Sequence, residues 1–276
     1  MCCLNEVSGS IGKARNMTNR CFFRSALILS VLVIACAIGR GSVSASSNWV
    51  EYKSGNDTLR AYLAVPDGKG PFPALVVIHE WWGLNDWVKK NADELATQGY
   101  IALAIDLYRG KSAQSPEEAH ELMRGLPEDR ATKDLKAAVE YLESSPTVIR
   151  TGVGSIGWCM GGGYSLVTAL NVKTLAAAVV CYGRLVTEPE EIKKISCPIL
   201  GIFGEDDKGI SASSVRAFEK ASKSEGKDVS TVIYPGAGHG FMNQNNKSGY
   251  RQKEAENAWS RIRFFLDGHL KAKQKH

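Results

Sequence analysis

The sequence predicts an α/β fold, a mostly parallel central sheet flanked by helices on both faces. Short apolar runs alternate with helix-like stretches along most of the chain, the order that such a layered sheet requires. Some of the runs are continuously apolar, as in Val76-Val77-Ile78, which is the pattern of a strand covered on both sides. Gly157-Trp158-Cys159-Met160-Gly161 has the glycine spacing of a strand that turns sharply into a helix.

In chain order, a leader comes first. Lys13, Arg15, Arg20 and Arg24 precede the apolar run Ser25 to Ile38, and Val43-Ser44-Ala45 offers small residues for cleavage before Ser46. This predicts a signal peptide over 1–45 and an exported, periplasmic or secreted, mature chain over 46–276. The apolar run is shorter than the roughly 20 residues that span a bilayer, so no stable membrane span is expected. Met17 is an alternative start that gives a basic region of ordinary length. Val33-Ile34-Ala35-Cys36 resembles a lipoprotein processing site, which leaves lipidation at Cys36 as the alternative to cleavage after Ala45.

The mature chain, about 230 residues, is long enough for one domain with an ample core. Strands are expected near Val50–Lys53, Leu59–Val65, Ala74–His79, Ile101–Ala104, Val153–Gly157, Ala176–Cys181, Ile199–Phe203 and Val229–Tyr234. Helices fit Trp87–Gln98, Asp129–Glu143, Gly161–Leu170, Ser213–Ser222 and Lys253–Leu270. Residues Gly110 to Pro127 read as a mobile cover, in which His120 is a surface residue.

Chemistry concentrates where these strands end. A Gly-x-nucleophile-x-Gly turn exposes Cys159 at the start of a helix, where free backbone N–H groups and the helix dipole favour negative charge. An acid and a base follow in the order that such an elbow requires. Gly204-Glu205-Asp206-Asp207 opens an acidic loop, and Gly238-His239-Gly240 brackets a histidine with glycines. Asp207, three residues beyond Gly204, is preferred to Asp206 as the partner that fixes the His239 tautomer. The strand ending at Ile78 runs into His79-Glu80-Trp81-Trp82. By position Trp81 and Met160 would supply backbone N–H groups to an oxyanion. Glu80 would project into the same site, its alternative being a salt bridge to an arginine such as Arg109.

These residues resemble one family, the dienelactone hydrolases or carboxymethylenebutenolidases, cysteine enzymes of the α/β-hydrolase superfamily. The resemblance spans about Tyr52 to Leu270 and rests on His79-Glu80-Trp81-Trp82-Gly83-Leu84-Asn85, Asp106-Leu107-Tyr108-Arg109, Gly157-Trp158-Cys159-Met160-Gly161-Gly162, Gly204-Glu205-Asp206-Asp207 and Gly238-His239-Gly240-Phe241. It implies a Cys159–His239–Asp207 triad, and a Glu80 carboxylate that contacts the resting thiol and is displaced by substrate. It also implies hydrolysis of a small ester or lactone through a thioester. Family members that act on dienelactone hold the substrate carboxylate with two arginines. Here the matching positions are Asn243 and Gly110, with Arg109 one residue away, which weakens the case for an anionic lactone. An esterase or thioesterase for another small acyl substrate is therefore the alternative, ahead of a non-catalytic binding protein on the same fold. Trp81, Trp82, Tyr108, Trp158 and Phe241 could wall a planar substrate, with Arg109 and Asn243 at its edge.

Composition excludes other classes. The chain carries 34 basic and 29 acidic residues, but the leader holds five of the former and one of the latter, so the mature chain is nearly neutral and nothing points to nucleic acid. The Lys-rich end, Lys271 to Lys275, reads as a solvated helix terminus. Of seven cysteines, Cys2, Cys3, Cys21 and Cys36 lie in the leader, and the remaining three form no disulfide framework, although a Cys181–Cys197 bridge stays open. No Cys/His cluster has metal-ligand spacing and no glycine loop fits a phosphate, so neither a metal nor an organic cofactor is expected. A monomer is expected.

Overall fold

The apolar runs form the strands β1 (Ala45–Ser54), β2 (Asp57–Pro66), β3 (Phe72–Ile78), β4 (Ile101–Ile105), β5 (Val148–Trp158), β6 (Ala177–Cys181), β7 (Ile199–Gly204) and β8 (Val229–Tyr234). They make one sheet in the order β1-β2-β4-β3-β5-β6-β7-β8 in a computed structural model that describes residues 45–271. Pairing is antiparallel from β1 to β2 and from β2 to β4, and parallel across the rest. Every residue of β4, β6 and β7 is buried, so both faces of the central sheet are covered, which is why these strands read as unbroken apolar runs. The expected signal peptide, Met17, Cys36 and the tail beyond Lys271 lie outside the described residues.

The helices are α1 (Asp86–Thr97), α2 (Pro116–Arg124), α3 (Glu128–Ser144), α4 (Met160–Asn171), α5 (Pro189–Ile192), α6 (Ala212–Ser224) and α7 (Gln252–Leu266), and α7 runs on into a π turn over Asp267–Lys271. Three starts are fixed by side-chain caps: Asn85, Ser115 and Ser211 accept from the N–H groups of Val88, Glu118 and Ser214.

Several expectations need correcting. The segment expected as a mobile cover contains α2, because Ser115 caps it, Pro116 presets its first turn and Glu118 reaches back to the Gln114 N–H at 2.7 Å. The first strand begins at Ala45 rather than Val50, since Ala45 to Trp49 pair with Pro66 to Tyr62 of β2. Lys271 is not a solvated end, for its ammonium donates to the Gln98 carbonyl at 2.7 Å and pairs with Asp267 at 2.6 Å. Cys181 and Cys197 are not joined in a disulfide.

The topology gathers one edge of the sheet into a site. The carboxyl ends of β3, β4, β5, β6, β7 and β8 lead to Glu80, Tyr108, Cys159, Tyr182, Asp207 and His239 in turn, the edge at which parallel α/β sheets place their ligands. The registers of Ile78 against Ile105 and Gly157, and of Trp158 against Cys181, bring the first four strand ends level.

Candidate active site

Cys159 stands between β5 and α4 with φ of 54°, a left-handed backbone that costs a non-glycine residue about 1–3 kcal/mol. The turn closes only because its flanks lack side chains. A Cβ on Gly157 would overlap the Gly161 carbonyl, and one on Gly161 would overlap the carbonyls of Ile78 and His79. The Cys159 N–H donates to the Cys181 carbonyl at 3.0 Å, which pins the elbow to the end of β6. Its thiol is left half-buried beside His239, in the lining of the same two cavities.

Asp207 is the acid that the fold brings to His239. Its Oδ2 lies 2.7 Å from His239 Nδ1, while Oδ1 accepts from the N–H groups of Gly209 at 2.8 Å and Ile210 at 3.0 Å. The Asp207 side chain has no exposure, whereas Glu205 and Asp206 point to solvent. Burial works against charge on Asp207, but the His239 hydrogen bond and the two N–H groups hold its carboxyl below the usual range. Burial likewise works against the imidazolium, yet the hydrogen bonds to Asp207 and Cys159 and their negative charge raise His239 to about 10. The His239 loop is tied down by Asn246, whose Nδ2 donates to the His239 carbonyl at 3.2 Å.

The β3 loop is set by His79, which is fully buried. Its Nε2 accepts from the Leu107 N–H at 3.2 Å, so Nδ1 carries the proton and donates to the Glu80 carbonyl at 2.6 Å. Burial keeps this imidazole neutral. The N–H groups of Trp81 and Met160 donate to no backbone acceptor, so both remain available to a ligand.

Glu80 does not pair with Arg109. Its Oε2 accepts from Asn243 Nδ2 at 2.6 Å, and it makes no hydrogen bond to Cys159. Burial pushes the Glu80 carboxyl up to about 7, against the pull of the Asn243 hydrogen bond and the His239 charge. A carboxyl raised in the fold stabilises it fully below its unfolded value, 4.5, and that stability is lost as pH rises through about 7. Glu80→Gln is therefore expected to unfold like the wild type at pH 4 but to be the more stable protein at pH 8, by up to about 3 kcal/mol. Thermal unfolding at the two pH values checks this, and a difference independent of pH would contradict it.

Arg109 is a structural residue. It sits at φ of 56° and pairs with Asp57 at 2.9 Å and with the fully buried Asp134 at 3.1 Å, a carboxylate that is costly to leave alone. Trp158 and Phe241 are also displaced from the expected wall. Trp158 is wholly buried against Trp87 and Trp259, with ring centroids 5.1 and 5.8 Å away, and Phe241 packs between Tyr182 and Tyr234. Tyr108 is buried, its ring tilted against His79 with centroids 4.9 Å apart, and its hydroxyl lies 3.2 Å from the Met160 sulfur. Of the five aromatics, Trp81 and Trp82 line the cavity over Cys159. His120 is not idle, since its ring lies 4.8 Å from Trp81 and buttresses it from α2.

Tyr182 escapes sequence reasoning altogether. It follows β6 with φ of 40°, its ring sits edge-on to His239 at 5.2 Å, and its buried hydroxyl has no partner among the described residues. No motif marks it. Burial and the neighbouring Glu80 carboxylate push its phenol far up.

Two cavities meet at Cys159 and His239, of about 690 Å³ over the β3 loop and about 370 Å³ between α2 and α4. Among the described residues no group of acidic, His and Cys side chains could hold a metal ion, and no helix is long and apolar enough to cross a membrane.

The family model described as "Dienelactone hydrolase family" matches residues 59–270. Protein usf of Aquifex pyrophilus is 33% identical over 79% of this chain and 97% of its own length. A protein of Saccharolobus solfataricus named "Putative carboxymethylenebutenolidase" is 33% identical over 78% of this chain and 96% of its own. Among solved structures, a dienelactone hydrolase-like promiscuous phosphotriesterase from metagenomic libraries superposes with a TM-score of 0.76 over 82% of this chain and 99% of its own. Its identity is 24%, a likeness of fold.

Proposed function

The chain belongs to the dienelactone hydrolase family of ester-bond hydrolases, and we propose that it works as a cysteine hydrolase with Cys159 as nucleophile, His239 as base and Asp207 as the acid that orients the base. The observation that carries this reading is the continuous chain of contacts from Asp207 through His239 to Cys159, on an elbow that nothing bulkier than glycine could close.

In this mechanism His239 holds the proton given up by the Cys159 thiol, as the imidazolium that its raised pKa favours, and the sulfur attacks an ester or lactone carbonyl. The developing oxyanion is held by the N–H groups of Trp81 and Met160, which have no other backbone acceptor. The tetrahedral intermediate collapses to a thioester while the His239 imidazolium protonates the leaving alkoxide. Water, deprotonated by His239, then cleaves the thioester and returns the thiol. Asp207 stays ionised throughout and stabilises the imidazolium.

The substrate reading is wider than a dienelactone. The Saccharolobus relative is named for carboxymethylenebutenolidase activity, but in this chain Asn243 is engaged with Glu80 and Arg109 with Asp57 and Asp134, so neither offers a charge to a carboxylate. An ester substrate with export by the signal peptide over 1–45 is the reading that fits the residues best. Hydrolysis of p-nitrophenyl acetate that is lost on iodoacetamide treatment, with the label mapped to Cys159 and absent from buried Cys181, is the expected result. A folded, inactive protein whose Cys159 resists the reagent would contradict the reading.

A further inference from the structure

The two cavities that open on Cys159 and His239 have opposite chemistry. The larger is walled by Trp81 and Trp82 and by the side chains of Gln114, Asn245, Lys247 and Ser248. Amides and a hydroxyl offer both donors and acceptors, which suit hydroxyl groups, and indole faces suit the C–H surface of a polyol. Anions do not suit it. They would lie beside Glu80, and of the two cationic side chains in the lining His239 is already paired with Asp207, which leaves exposed Lys247. The smaller cavity is walled by Met123, Leu126, Met160, Tyr164, Val167 and Ile210. Its charged lining residues, Arg184 and Glu128, are exposed and lie 3.6 Å apart, so they offset one another.

We propose that the substrate is an uncharged ester whose aliphatic acyl chain lies in the cavity between α2 and α4 and whose hydroxyl-bearing alcohol lies in the tryptophan cavity. This rests on the hydrolase reading above and adds the substrate class. The orientation follows from the order of events. The acyl group stays bonded to Cys159 after the alcohol leaves, and water must then arrive beside His239. An apolar cavity retains a chain, whereas a polar one lets alcohol out and water in. Met160, whose N–H donates to no backbone acceptor among the described residues, is itself a wall of the apolar cavity. In the reverse orientation hydroxyls would lie mostly against Met, Leu, Val and Ile, with the Tyr164 and Tyr182 phenols the few polar groups within the wall, which is costly for a polyol.

The test compares p-nitrophenyl acetate, butyrate and hexanoate with mono-p-nitrophenyl adipate, and glyceryl monobutyrate with ethyl butyrate. kcat/KM is expected to rise about three-fold per methylene up to hexanoate. The anionic adipate is expected to fall about ten-fold or more below hexanoate. The glyceryl ester is expected to exceed the ethyl ester about five-fold. Val167→Trp on α4 and, independently, Met123→Trp on α2 fill the apolar cavity and are expected to flatten the chain-length series, each lowering hexanoate hydrolysis more than acetate hydrolysis. A flat series in the wild type, adipate equal to hexanoate, a glyceryl ester no better than the ethyl ester, or a series unmoved in both folded variants would overturn the proposal. Acetate hydrolysis with a flat series sinks this proposal and leaves the hydrolase reading standing. A wild type that cleaves none of these esters sinks both.

Discussion

Cys159→Ala is expected to lower kcat/KM for p-nitrophenyl acetate by about 10⁴-fold or more, with the unfolding temperature within a few degrees of the wild type. The sulfur is the one atom at the elbow that can form the covalent intermediate. Its removal leaves the N–H groups of Trp81 and Met160 and the His239–Asp207 pair in place, so residual activity reports binding and oxyanion stabilisation alone. The fold is expected to survive because the elbow is held by main-chain contacts. Cys159 N–H keeps the Cys181 carbonyl, and Gly157 and Gly161 keep their close approach. Rates and thermal unfolding of the two proteins check both halves of the expectation. A variant with activity near the wild type would mean that the nucleophile lies elsewhere.

Asp207→Asn is expected to lower kcat by about 10³ to 10⁴-fold. Asp207 is surrounded by donors: Oδ1 takes the N–H groups of Gly209 and Ile210, and Oδ2 takes His239 Nδ1. An asparagine can place its oxygen towards the loop only by turning its NH₂ to His239. That donor demands an unprotonated Nδ1 and puts the imidazole proton on Nε2, where it cannot accept the thiol proton. Turned the other way, the NH₂ meets two N–H groups and the loop is destabilised. In either orientation the charge that helps to raise His239 to about 10 is gone, so the base is weaker as well as misoriented. The pH profile of kcat is expected to lose its dependence on a high-pKa histidine, and an unchanged profile would show that Asp207 is a loop residue and no more.

What the sequence made legible is what local backbone chemistry dictates. The elbow is readable because glycine spacing is a steric requirement, and the Asp207–His239 contact because each residue follows a strand end in a fixed order. The eight strands were readable from apolar runs, since burial on both faces leaves an unbroken pattern. The same unbroken pattern hides which side a residue faces, so Trp158, one residue before Cys159, reads as a site wall although it packs into the core against Trp87 and Trp259. Phe241 misled for a similar reason, its glycine-rich neighbours suggesting a surface loop. The ion pairs of Arg109 and the Asn243–Glu80 hydrogen bond join residues far apart in sequence, and nothing local announces them. Helix α2 is a different case. Its capping signal, Ser115-Pro116-Glu117-Glu118, was present and was outweighed by the polar character of the surrounding segment.

The proposed mechanism passes through a thioester on Cys159, and that species can be trapped. Wild-type protein is mixed with p-nitrophenyl acetate, quenched in acid within the first turnovers, digested and read by mass spectrometry. The expected result is an acetyl group on the Cys159 peptide that neutral hydroxylamine removes and that Cys159→Ala never acquires. Steady turnover with an acetyl group on another residue, or with the Cys159→Ala protein acylated as fast as the wild type, would contradict the account.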